Sequence, residues 1–173
     1  NADHTGFLWL KDKESFTLNS PLDLTDNNLT ATLNLQGGKL VVGNGQILKA
    51  NEKDIIGGSV VGFAIKYEEN RIEGCNNAGG LSSDYNFYGE GAKVVLPAAL
   101  TCSTEATSQY GDHQFLGWAD DSKVTAAESE YTTGTTANTY TASESGEITG
   151  DYLTLKGAWA VDELTLNVTN NTA

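Results

Sequence analysis

Phe115-Leu116-Gly117-Trp118 and Leu153-Thr154-Leu155-Lys156-Gly157-Ala158-Trp159 are the stretches from which the fold is read. Leu153, Leu155, Gly157 and Trp159 recur at period 2, as one face of a strand does. Phe115 and Trp118 bracket a glycine on a second short segment. A buried Trp removes on the order of 200 Å² from water, so two of them can anchor a small core. Phe115, Trp118, Leu153, Leu155 and Trp159 are therefore the predicted core anchors. The segment between them is rich in Thr, Ser, Gly and Glu and is expected to add little to that core. The pattern predicts two strands that meet in space across a long polar excursion.

Working outward, the first half is a series of short β-branched and Leu-rich runs separated by turn residues. Phe16-Thr17-Leu18 reads as a strand stopped by Asn19-Ser20-Pro21. Leu29, Ala31, Leu33 and Leu35 alternate with Thr30, Thr32 and Asn34. Lys39–Val42 and Gln46–Lys49 flank Gly43-Asn44-Gly45, which predicts a tight hairpin. Ile55-Ile56 and Ser59–Tyr67 follow, the latter with Val61, Phe63, Ile65 and Tyr67 on one face. Five or six strands with short turns predict a β-sandwich or meander for residues 1–70. The whole chain is expected to be all-β and mainly antiparallel.

An apolar segment stands near each end of the sequence: Phe7, Leu8, Trp9 and Leu10, then Leu164, Leu166 and Val168. The terminal strand is expected to pair within its own domain. Both segments are also candidate assembly strands, able to complete a neighbour's sheet. Residues 161–173 read as a C-terminal strand and polar tail.

Composition narrows the function. The chain has 173 residues, 39% of them hydrophobic, enough for one ordinary domain or two small ones. A net charge of −13 argues against nucleic acid and anionic membrane surfaces, which call for Lys and Arg. No membrane-inserting segment is read. The start at Asn1 without Met suits a mature secreted protein or an excised piece. In that setting Cys75 and Cys102 are expected to form a disulfide, stabilising by about 3 kcal/mol. Asn28, Asn167 and Asn170 open Asn-x-Thr triplets and are candidate glycosylation sites.

No catalytic constellation emerges. Asp112-His113 lacks an identifiable nucleophile or metal-ligand spacing, and His4 stands in the polar tail. The glycines around Gly43 precede a strand, whereas a phosphate cradle precedes a helix. Glu68, Glu69, Asp84, Glu90, Asp120 and Asp121 could supply a hydrolytic pair, and Tyr85, Tyr88 and Tyr110 could stack on sugars. Expected instead are acidic loops and packed aromatics. No cofactor is expected beyond calcium, for which Asp120, Asp121, Glu128 and Glu130 are the candidate oxygen ligands.

In the second half, Asn77-Ala78-Gly79-Gly80, Tyr88-Gly89, Leu96-Pro97, Phe115-x-Gly117-Trp118 and Leu153-x-Leu155-x-x-x-Trp159 follow one another around a Thr-rich segment. In that order they resemble the Listeria–Bacteroides repeat, also known from the B-repeat of internalin B. The resemblance covers residues 71–160. It implies a β-grasp-like module of surface proteins, with adhesion or spacing as its role. The expected function is a non-catalytic extracellular, cell-surface structural or adhesion protein, a filament or surface-layer subunit joined by strand addition. Its expected partners are itself, as a homopolymer, or other surface proteins and glycans. The alternative is a carbohydrate-binding module or a glycoside hydrolase accessory domain.

Overall fold

The computed structural model describes residues 4–9, 14–25, 29–70, 81, 86–101, 113–120, 123–126 and 130–161. These form sixteen strands and one short 3-10 turn, so the chain is all-β. In chain order the first strands are β1 (His4–Trp9), β2 (Ser15–Leu18), β3 (Leu22–Asp23), β4 (Leu29–Asn34), β5 (Lys39–Val42) and β6 (Ile47–Lys49). Next come β7 (Ile55–Ile56), β8 (Gly58–Glu68), β9 (Asn86–Tyr88), β10 (Lys93–Val95), β11 (His113–Asp120) and β12 (Lys123–Ala126). The last four are β13 (Glu130–Thr132), β14 (Asn138–Ala142), β15 (Ile148–Thr149) and β16 (Leu153–Val161).

Seven of the thirteen described strand pairs are antiparallel. The other six are parallel. Five of those six lie in the first 68 residues, and they are not a meander. β1, β4 and β7 pair in parallel on one side. β2, β5 and the first half of β8 do so on a second, and β3 with β6 on a third. Partners such as Ser15 and Lys39, or Leu22 and Leu48, stand about 20 to 26 residues apart. The chain therefore coils through three sides in turn, as a short parallel β-solenoid.

The expected hairpin at Gly43–Gly45 is a corner of that coil. Gly45 has φ of 70°, as a tight turn requires. β5 and β6 turn away from each other and pair with different strands, β5 with β2 and β8, β6 with β3 and β9. Corners of successive rungs touch: Gly43 N donates to Leu18 O, and Gly89 N to Gln46 O, each at 2.9 Å.

β8 joins the two halves. Its first part pairs with β5 on one side and antiparallel with β14 on the other. Its second part pairs with β9 and, in parallel, with β16. It is buried on both faces, as its unbroken run Val60-Val61-Gly62-Phe63-Ala64-Ile65 permits. Val60 and Ala64 enter one core with Leu33, Leu35, Leu48, Phe87 and Tyr140. Phe63 and Ile65 enter a second with Tyr88, Val94, Trp118 and Leu155. The cores are not divided at residue 70.

β11 and β16 are antiparallel neighbours, with Phe115 opposite Trp159 and Trp118 opposite Gly157. A register shift between Phe115 and Gly117 leaves Leu116 as an extra, exposed residue. His113 opens β11. The polar excursion does contribute core. Tyr140, Ala142 and Ile148 of β14 and β15 are buried against the solenoid's far end. A run of Thr, Ser and Gly hides this because each of these short strands turns only one or two apolar side chains inward.

Candidate functional site at the outer edge of the first rung

β1, β2 and β3 form the first rung. Each pairs with one strand only among the described residues: β1 with β4, β2 with β5, β3 with β6. A strand paired on one side presents unpaired N–H and C=O groups on the other, a template for further pairing. Natural edges are commonly blunted by Lys, by Pro or by bulges. β2, with the sequence Ser-Phe-Thr-Leu, carries no charge and no proline.

Register identifies Phe16 as the residue at the open end. It stands opposite Leu40, which stands opposite Val60. In this stack of three, Val60 is 0% exposed, Leu40 1% and Phe16 41%. The same inward position is thus sealed in the second and third rungs and open in the first. Leu18, one step along the same face, stands opposite Val42 and is buried. The rim of the rung is polar. Lys49 Nζ lies 3.3 Å from Asp23 Oδ2, and the Thr25 N–H and hydroxyl both donate to Asp23 Oδ1. Those Thr25 bonds, helped by Lys49, hold the Asp23 carboxyl below its ordinary value.

Four of the five anchor residues, Phe115, Trp118, Leu153 and Leu155, fall in or against the second core. Trp118 is buried and its indole N–H donates to Pro97 O at 3.1 Å. Leu155 is fully buried, Phe115 and Leu153 are half-buried at the margin of that core, and the half-buried Trp159 packs on Phe115 outside it. Trp159 donates to Glu69 O at 3.0 Å. Tyr67, Trp118, Phe115 and Trp159 form a chain of edge-to-face rings with centroids 5.1 to 5.5 Å apart. Tyr88, a candidate sugar platform in the sequence, is buried in the same core.

Of the calcium candidates, Glu130 pairs with Lys93 at 2.8 Å and Asp120 accepts from the Tyr131 hydroxyl at 3.2 Å. Asp121 and Glu128 lie outside the described residues. Among the described residues no three His, Cys, Asp or Glu cluster as metal ligands. Cys75, Cys102, Asn28, Asn167, Asn170, Asp84, Tyr85 and Tyr110 also lie outside them. Phe7, Leu8 and Trp9 belong to β1, where Leu8 is in register with Leu33. Leu10, Leu164, Leu166 and Val168 are outside the described residues.

The importance of Phe16 escaped the sequence. Its only trace there is the recurrence of an inward aliphatic at Leu40 and Val60, a drifting period visible once rungs are sought. Comparison with family models, with characterised proteins and with solved structures found no match. No described helix is long and apolar enough to cross a membrane.

Proposed function

We propose that this chain is a non-catalytic structural subunit of the cell exterior, an adhesion or surface-layer element that joins to its partners by strand addition. The observation that carries this is the first rung: three edges paired on one side only among the described residues, and Phe16 exposed in an inward register. Solenoids need capped ends to stay soluble and single, and an uncapped rung is a surface that seeks another strand. The acidic charge of −13 suits a protein that must stay dispersed until that specific contact forms. The resemblance of residues 71–160 to the Listeria–Bacteroides repeat points to the same setting.

The test is assembly. Light scattering and negative-stain microscopy of the purified chain, with and without calcium, should show regular multimers that grow with concentration. A monomer under all conditions would overturn the assembly form of this proposal. Turnover of a glycan substrate would overturn the non-catalytic assignment.

A further inference from the structure

The tripeptide Thr-Leu-Asn occurs three times, at 17–19, 32–34 and 165–167. Its two described copies do the same job. In each the Leu is buried and the Asn closes a rung strand: Leu18 ends β2 and Asn19 follows, while Leu33 is buried and Asn34 ends β4. Asn34 Oδ1 accepts the Gln36 N–H at 3.0 Å and so shapes the corner. The residue two before each Leu shares its face: Phe16 in β2 and the buried Ala31 in β4. The third copy sits in Leu164-Thr165-Leu166-Asn167-Val168, with aliphatic residues at the corresponding positions. Its sequence matches that of the two rung strands, and it follows β16 in the chain, outside the described residues.

We infer that residues 164–168 of one copy dock in parallel on the outer edge of β2 in a second copy. Leu164 then covers Phe16, Thr165 stands beside Thr17, Leu166 caps Leu18 and Asn167 stacks on Asn19. Like residues in parallel register are the arrangement that solenoid rungs and Asn ladders favour. The inference rests on the assembly proposal above and names the segment that performs it.

The occupant is a second copy because of where β16 ends. Thr17, Val41 and Val61 are at one level of the parallel stack, and Glu68 is level with Lys156. Val161 therefore lies seven residues of β8 and five of β16 downstream of Thr17. At about 3.3 Å per residue that is on the order of 40 Å. Leu164 follows Val161 by three residues, a reach of about 10 Å. A chain's own tail falls short of its own Phe16. β16 itself runs parallel to β8, β5 and β2, the direction a strand added in parallel to the β2 edge must take. Each copy then gives one strand and receives one, a heterologous contact that propagates as an open fibre.

Two full-length variants test this. Leu166→Asp disables the donor and keeps the acceptor; Phe16→Asp does the reverse, at a position already partly exposed. Light scattering should show multimers for the parent chain and single-chain mass for each variant. An equimolar mixture of the two variants should double that mass and stop there. Circular dichroism melts establish that each variant folds. For a variant that does not fold, a synthetic peptide of residues 162–173 serves instead: in excess it should reduce parent multimers to single chains, and the same peptide carrying the Leu166→Asp change should not. Multimers that persist in Leu166→Asp, or a mixture that stays at single-chain mass, would overturn the tail contact while leaving assembly itself standing. A parent chain that stays monomeric would overturn both.

Discussion

Tyr140 is the residue on which the join between the two halves turns. It is fully buried, its hydroxyl donates to Asp151 O at 2.8 Å and it accepts the Ala64 N–H at 3.0 Å. Tyr140→Phe leaves a buried N–H and a carbonyl without this partner and should cost about 1–3 kcal/mol, read by denaturant unfolding. Burial also pushes the Tyr140 hydroxyl above its ordinary value of 10.0. The folded state then holds that proton more tightly than the unfolded state. Its stabilisation is present below pH 10 and lost as pH rises beyond it toward the folded-state value. Tyr131 is shifted the same way, by burial first and by Asp120 next. Stability should therefore fall above pH 10, and less steeply in Tyr140→Phe; identical alkaline profiles would contradict this. Trp118 and Trp159 separate by burial. Trp118→Ala should cost about 3–5 kcal/mol as a cavity mutation. Trp159→Ala, half-buried, should cost less, roughly 1–3 kcal/mol. Equal losses in thermal melts would contradict the assignment of Trp118 to the centre of the second core.

Among elements, the corners between rungs are as constrained as the strands. A Cβ on Gly89 would run into the Gly43 carbonyl oxygen, and one on Gly43 would sit 2.5 Å from Leu18 O. Backbone stacks on backbone there, so nothing can move aside cheaply. Gly89→Ala should destabilise by about 3 kcal/mol or more. Gly45→Ala is the control: φ is 70° but nothing lies within 4 Å, so only left-handed strain of about 1–2 kcal/mol applies. At about 2–4 °C per kcal/mol for a chain of this size, the two melts should be clearly resolved. A Gly89→Ala melt at or above that of Gly45→Ala would refute the close stacking of Leu18, Gly43 and Gly89.

At the scale of the molecule, β8 makes one cooperative unit of two cores. Alternate side chains of a single strand supply both, and β5, β14, β9 and β16 all hydrogen-bond to it. In a Trp9→Phe background, which removes the tryptophan of β1 and leaves Trp118 and Trp159 to report the second half, unfolding followed by tryptophan fluorescence should coincide with far-UV circular dichroism, dominated by all strands. Ile65→Ala, at a fully buried position, should move both transitions together by about 2–5 kcal/mol. Separate transitions would mean two independent domains with a boundary near residue 70.

The sequence by itself determined the more apolar strands and one of their partnerships, but not β12 to β15 of the polar excursion. Alternation at Leu29–Leu35, Lys39–Val42 and Leu153–Trp159 marks strands because side chains on a pleated backbone have period 2 wherever the strand lies. The Trp-bearing segments announced their meeting through bulk alone. Only the tertiary structure decided which strands pair and in which direction. Period 2 is identical in parallel and antiparallel ladders, and a Gly-Asn-Gly turn closes a hairpin or rounds a solenoid corner with the same dihedral angles. Tyr140 escaped notice because burial is a property of what surrounds a residue, and its surroundings come from residues 76 positions away. Phe16 reads as an ordinary core residue in sequence. It became the edge of a candidate assembly site because no described rung stacks above it, a fact of position that local pattern does not contain.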